Sequence, residues 1–192
     1  MNMNQMDVIM RGYFALGVEG ISKPRNVGSL FRSAHAFGAS FVFAVAPHIN
    51  VRDVYSSDTS STAGHVPLYQ YDNVDSLTLP RDCRLVGVEL VDEAIDLPSF
   101  RHPERCAYIL GPERGSLSPE MIERCDFTVK IPTKFCINVG IAGAILLYDR
   151  AISRGRWAER PVRAGGPTEA LPTHTRGGPI IRTAQKTWGN ET

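Results

Sequence analysis

A chain of 192 residues with 43% hydrophobic and 21% charged residues has the profile of one ordinary soluble domain plus an appendage, which excludes fibres, collagen and wholesale disorder. No window approaches the roughly 18 uninterrupted apolar residues of a membrane span. The stretch Met1 to Met10 also lacks a basic run followed by an apolar one, so the expectation is a cytoplasmic protein without membrane attachment. The net charge of +1 is unevenly spread: residues 1–96 sum to −4 and residues 97–192 to +5, with the basic surplus from Arg150 onward.

Taken in chain order, Tyr13–Val18 reads as a buried strand, followed by a helix over Asn26–Phe37. In that helix Val27, Leu30, Phe31 and Ala34 recur at amphipathic spacing, with Asn26 as N-cap and Gly38 as the left-handed stop. Phe41–Ala46, Arg84–Leu90, Cys106–Leu110 and Phe127–Ile131 are further strands with the near-continuous hydrophobicity of a sheet covered on both faces. Short helices fit Val51–Ser57, Asn73–Leu77 and Pro119–Cys125, the last capped by Ser118. A longer helix, Asn138–Arg154, is apolar almost all round from Val139 to Leu147 and is therefore expected to be buried. Strand alternating with helix implies an α/β fold, a parallel sheet with helices on both faces, over residues 1–154. Residues 155–192 hold six Gly and four Pro with no apolar periodicity and read as an extended or mobile basic tail.

Cys83, Cys106, Cys125 and Cys136 form no C-x-x-C pair, so no zinc or other metal site is expected and the thiols are read as reduced. Seventeen of the 21 basic residues are arginine, whose planar fork suits phosphate, although an Arg-rich genome would produce the same bias.

Ligands of open parallel sheets sit outside the carboxyl ends of the strands, which directs attention to three loops. The first is Lys23-Pro24-Arg25-Asn26-Val27-Gly28-Ser29-Leu30-Phe31-Arg32, where Gly28, Arg32 and His35 share a face opposite the apolar one. Asn26 there is either a cap or a ligand contact. The second, Ile109 to Pro119, holds Gly111, Pro112, Glu113, Arg114 and Gly115, either a turn with a surface ion pair or a close backbone approach to a ligand. The third, Ile131 to Ala144, has Asn138 opening a helix rich in Gly140, Ala142, Gly143 and Ala144, which allow tight packing or a close subunit contact. No phosphate-loop or dinucleotide fingerprint is present.

N-x-G-x-x-x-R, then L-G-P-E-x-x-G, then I-P…N-V-x-x-A-x-A-x-x-L-Y, in this order, resembles the SpoU-type (TrmH-like) branch of the SPOUT RNA methyltransferases, and the similarity spans about Tyr13 to Arg154. The resemblance implies a SPOUT-type fold with a C-terminal trefoil knot and S-adenosylmethionine as donor. It also implies a homodimer, and methylation of a ribose 2′-hydroxyl in tRNA or rRNA, tRNA being favoured. By motif it assigns catalytic roles to Arg32, Asn26, Glu113 and Asn138, and a cofactor cradle to the backbone around Val88, Glu89, Leu90, Gly111, Ile131, Cys136 and Ile137. The chain departs from the family's pattern at Cys136 and Gly140, where serine is common. That departure prompts the alternative of a catalytically silent RNA-binding or assembly factor. Lys23, Arg25, Arg32 and Arg114, with Arg154, Arg156, Arg160 and Arg163, are the expected phosphate contacts, and Trp157 and Trp188 are candidates for base stacking.

Overall fold

The computed structural model describes residues 12–56, 64–155, 157, 164 and 165. Among them, seven strands form one sheet: β1 (Tyr13–Glu19), β2 (Phe41–Val45), β3 (Leu68–Tyr71), β4 (Arg84–Val88), β5 (Ile95–Asp96), β6 (Arg105–Leu110) and β7 (Phe127–Lys130). Their order is β3-β2-β1-β6-β4-β7-β5, and every pairing is parallel. The described residues also form four α-helices, α1 (Pro24–Ala36), α2 (Val51–Ser56), α3 (Pro119–Arg124) and α4 (Val139–Arg154), and one short 3-10 turn, Leu97–Ser99. The chain divides by contacts into Met1–Gly155 and Arg156–Thr192, and all of these elements belong to the first unit.

The central strands are apolar on both faces because both are covered. Phe14, Leu16 and Val18 of β1, Val42 and Ala44 of β2, and Cys106, Tyr108 and Leu110 of β6 pack under Val27, Leu30, Phe31 and Ala34 of α1, Val51 of α2, and Leu146 and Leu147 of α4. The alternate residues Ala15, Phe43, Val45, Leu85, Ala107 and Ile109 face Leu117, Met121 of α3, and Leu77. Fully burying a side chain such as Leu30 or Ile109 contributes about 1.5–3 kcal/mol. Two contacts require glycine. A Cβ on Gly17 would lie 2.3 Å from the Phe43 ring, and one on Gly143 of α4 would lie 2.3 Å from Leu30 Cδ2 of α1. The second absence is what lets α1 and α4 pack together closely.

Several expectations change. Asn26 is not the cap of α1: Pro24, with φ already suited to a first turn and no N–H to satisfy, starts the helix earlier, and Lys23 takes the cap position. Asn26 is thereby carried inside the first turn and is 3% exposed. Gly38 has φ +78 as expected of the stop, and β2 ends one residue early because Ala46 turns into the left-handed region at φ 44. Asn73–Leu77 forms a turn instead of a helix. The Asn73 and Ser76 side chains bond each other's backbone, Ser76 N to Asn73 Oδ1 at 2.8 Å and Asn73 N to Ser76 Oγ at 3.2 Å, which supplies the backbone partners without the cost of nucleating a helix.

Strand β3 and the two-residue β5 were not expected; both are edge strands with exposed residues that break the apolar pattern. α4 is not buried all round. Gly140, Gly143, Leu146, Leu147 and Arg150 face inward, whereas Ile141, Ile145 and Tyr148 are 56, 38 and 57% exposed. All four cysteines are free, and burial pushes the Cys83 thiol up to about 11 and Cys125 to about 12, so both pack as small apolar groups.

Candidate active site at the carboxyl ends of the strands

Parallel pairing of β1 with β6, β6 with β4 and β4 with β7 places Glu19, Leu110, Val88 and Lys130 at one edge of the sheet, so the loops after all four strands leave from the same side. Polar side chains then tie these loops together. Glu113, in the loop after β6, accepts hydrogen bonds at α1's start from Ser22 N (3.1 Å), Ser22 Oγ (2.9 Å) and Lys23 N (2.9 Å). Its Oε1 also accepts from Asn26 Nδ2 at 2.9 Å. A carboxylate at a helix N-terminus is favoured by the orphan N–H groups and the dipole there. Burial alone would raise the Glu113 pKa, but the bonds from the Ser22 amide, its own amide, Asn26 and the Ser22 hydroxyl outweigh it and hold the carboxyl below the usual carboxylate range.

Asn26 passes the connection on. Its Oδ1 accepts from Asn138 Nδ2 at 3.1 Å, while Asn138 Oδ1 caps α4 by accepting from Gly140 N at 2.9 Å and Ile141 N at 3.4 Å. One carboxylate and two side-chain amides in series thus join the loop after β6, the start of α1 and the start of α4. Arg32 stands exposed two turns further along α1. Gly28 has open space over it, with nothing within 4 Å of where its Cβ would be.

The expected cradle residues lie at the same edge. Glu89 N extends the β4–β7 ladder to Val129 O, and Glu89 Oε2 accepts from Leu117 N at 2.8 Å, which folds the loop after β6 back over Gly111. A Cβ on Gly111 would sit 3.0 Å from Leu117 N. Val88 and Ile131 pack against the core, whereas Leu90, Phe135 and Cys136 are exposed and Ile137 is half-buried. Lys23, Arg25 and Arg114 are exposed around the Glu113–Asn26–Asn138 chain.

Arg154 is not at this edge. It pairs with Glu104, which precedes β6, at 3.2 Å, and so belongs to the amino ends of the strands. Arg156, Arg160, Arg163 and Trp188 lie outside the described residues. The geometry also brings in groups that the sequence did not single out. Glu19, 7% exposed at the end of β1, accepts from Ser118 N (2.9 Å) and Ser118 Oγ (2.6 Å) and so braces the cap of α3; Ser22 holds Glu113. The one available signal for Glu19 was a carboxylate closing an otherwise apolar strand.

Gly140 has a packing reason. A Cβ there would lie 3.0 Å from Ser29 Cβ and 3.1 Å from Asn138 Oδ1, so a serine would push against the contact between α1 and α4. Among the described residues no three His, Cys, Asp or Glu side chains group as metal ligands, and no helix is long and apolar enough to cross a membrane.

Mouse tRNA (guanosine(18)-2'-O)-methyltransferase TARBP1 is 31% identical over 138 residues, covering 67% of this chain and 9% of its own. The 23S rRNA (guanosine-2'-O-)-methyltransferase RlmB of Coxiella burnetii is 29% identical over 152 residues, covering 75% of this chain and 59% of its own. The chain therefore spans less than two thirds of either enzyme. A solved structure described as giving structural insights into the 2-OH methylation of C/U34 on tRNA superposes with a TM-score of 0.61 at 25% identity, covering 74% of this chain and 91% of that one. The model of the SpoU rRNA Methylase family matches residues 13–148, most of the parallel sheet and its helices, and the chain belongs to that family.

Proposed function

We propose that the chain transfers a methyl group from S-adenosylmethionine to a ribose 2′-hydroxyl of structured RNA, tRNA ahead of rRNA, in the cytoplasm. The observation that carries this reading is the hydrogen-bonded chain Glu113–Asn26–Asn138, which gathers the three motif loops at the ligand-binding edge of a parallel sheet. The preference for tRNA rests on the solved relative that this chain nearly spans.

The residues present suit the donor. Leu90 is 40% and Phe135 74% exposed beside the backbone of Val88, Gly111 and Ile131, a mixture of apolar surface and peptide groups that fits a nucleoside. Cys136 and Ile137 complete that edge through their backbone. Bound there, the donor supplies an electrophilic methyl on a positively charged sulfur. A strong bare anion beside that sulfur would favour the ground state, because the charge is lost in the transition state. Both oxygens of Glu113 are instead committed to α1 and Asn26, which makes Glu113, Asn26 and Asn138 positioning groups. Arg32 is the group assigned to the target hydroxyl. As a permanent cation it stabilises the developing alkoxide, and a neighbouring RNA phosphate is the proton's acceptor. Lys23, Arg25 and Arg114 hold the RNA backbone around this point.

The exposed apolar stripe Ile141, Ile145 and Tyr148 on α4 supports a homodimer formed through that face. The path after β6, which must pass β4 to reach β7, is assigned the trefoil knot; a minutes-long refolding phase insensitive to prolyl isomerase is the corresponding measurement.

The deciding experiment incubates the full chain with radiolabelled S-adenosylmethionine and either bulk tRNA or rRNA. Label recovered in alkali-resistant dinucleotides marks ribose methylation. Donor binding by calorimetry without transfer to any RNA would instead favour the silent RNA-binding factor, and absence of donor binding would remove the reading.

A further inference from the structure

The opposite edge of the sheet carries a concave feature. A cavity of about 350 Å³ is lined by Arg84, Arg101, His102, Pro103, Glu104, Phe127 and Arg154. The three arginines come from three separate places: the first residue of β4, the loop before β6 and the end of α4. We propose that this cavity is a phosphate-binding site that receives a backbone phosphate of the RNA substrate, away from the methylated ribose.

The chemistry follows from how the cations are used. Arg84 donates Nη1 to Asp126 at 2.6 Å and stays 60% exposed, so much of its guanidinium fork remains available. Arg101 is exposed and has no hydrogen bond or ion pair among the described residues. Arg154, whose side chain is 19% exposed, is held beside them by Glu104. The buried His102 is fixed between Tyr108 and Asp149 and contributes shape instead of charge. Phe127, 39% exposed at the start of β7, offers an apolar ring next to the cations, a combination suited to a nucleotide. Planar guanidinium groups lining one concavity suit the oxygens of a phosphate, and with Arg84 and Arg154 already paired to carboxylates the Arg101 charge is left for it.

The site is separated from the proposed methyl-transfer edge by the length of β6, roughly 17 Å at about 3.3 Å per residue. It therefore contacts RNA beyond the target nucleotide. This rests on the RNA-methyltransferase reading and adds a register-setting contact to it.

The test uses the full chain, fluorescently labelled bulk tRNA and inorganic pyrophosphate. R101E is expected to weaken tRNA binding about tenfold and to lower the slope of log K against log salt by at least about 0.7. Affinity for S-adenosylmethionine should be unchanged, R101K should keep most of the RNA affinity, and R52E, a charge reversal at an exposed arginine on α2 outside the cavity, should do much less. Wild-type tRNA affinity in R101E, or an equal loss in R52E, overturns the site while leaving the methyltransferase reading intact. Pyrophosphate binding that R101E abolishes without any effect on tRNA assigns the cavity to a free phosphate ligand and overturns the RNA assignment. A wild-type chain that binds the donor but no RNA overturns both readings.

Discussion

The two edges of one sheet use polar side chains in opposite ways. At the carboxyl edge Glu113, Asn26 and Asn138 bond one another at the surface of the core and hold loops in place, while Arg32 is exposed further along α1. At the amino edge Arg150, 1% exposed, is sunk into the core. It donates to Pro103 O (2.8 Å), Glu104 O (3.2 Å) and Tyr108 Oη (3.1 Å), and lies 5.0 Å from the centre of the Phe14 ring. His102 continues that network, with Nδ1 2.5 Å from Tyr108 Oη and Nε2 2.9 Å from Asp149. One arrangement ties loops together at the surface; the other satisfies the buried Pro103 and Glu104 carbonyls and shares the Tyr108 phenol with His102. Methyl transfer and stability should accordingly be separable between the carboxyl-edge groups and the buried Arg150 network.

The largest separation is expected from R32A. Transfer should fall roughly 100- to 1,000-fold, as when a transition-state donor is removed, with donor affinity within about twofold and the urea midpoint unchanged, since the side chain is exposed. Appreciable residual transfer would reject the role. Next is R150A, which strands the Pro103 and Glu104 carbonyls and leaves the Tyr108 hydroxyl with His102 alone. Urea unfolding should show a loss of about 3 kcal/mol, while donor affinity of the folded fraction is retained. A loss below about 1 kcal/mol would show that water enters and replaces the guanidinium. N26A lies between the two classes, because Asn26 is buried but belongs to the relay: about 1–2 kcal/mol of stability and a fall in transfer rate should appear together, and a change in only one would divide the relay from the site.

The smallest effect is a pH dependence at the amino edge. Burial, opposed by the bond to Asp149 and reinforced by the nearby Arg150 and Arg154, holds the His102 pKa below the ordinary histidine value. The unfolded chain therefore binds the proton more readily, and the contribution of neutral His102 is complete above the ordinary histidine range. It is lost as pH falls from that range towards the lowered native value. Melting temperature measured down from neutral pH should show this drop, and H102Q should flatten it. Glu113, held low, adds a second loss only at more acidic pH, below the usual carboxylate range.

How much of this was legible in the sequence depended on range. β1, α1 and the start of α4 follow from continuous apolar runs, the spacing of Val27, Leu30, Phe31 and Ala34, and the cap Asn138. Pro24 contained the information that α1 starts before Asn26, but the commoner role of asparagine as a cap obscured it. The bonds that make the candidate site join residues 87 and 112 positions apart, so no local pattern could carry them; the family motifs pointed to the residues without saying that they bond one another. Arg150 misled in the other direction. It was counted with the basic surplus of the chain's end, yet its charge is enclosed by β6 and the loop before it and is not offered to any partner. Exposure of Ile141, Ile145 and Tyr148 was equally invisible, because an all-apolar helix reads the same whether a neighbouring segment or another subunit covers its outer face.

The bare backbone at Gly143 has a mechanical corollary. Because Leu30 reaches within 2.3 Å of where a methyl would stand, even an alanine there would act as a wedge, prising α4 from α1. The two asparagines sit about one turn nearer the start of each helix, so a tilt here lengthens the bond between them while every chemical group is preserved. A single carbon, in contact with none of the three bonded side chains, would thereby work as a rheostat on turnover.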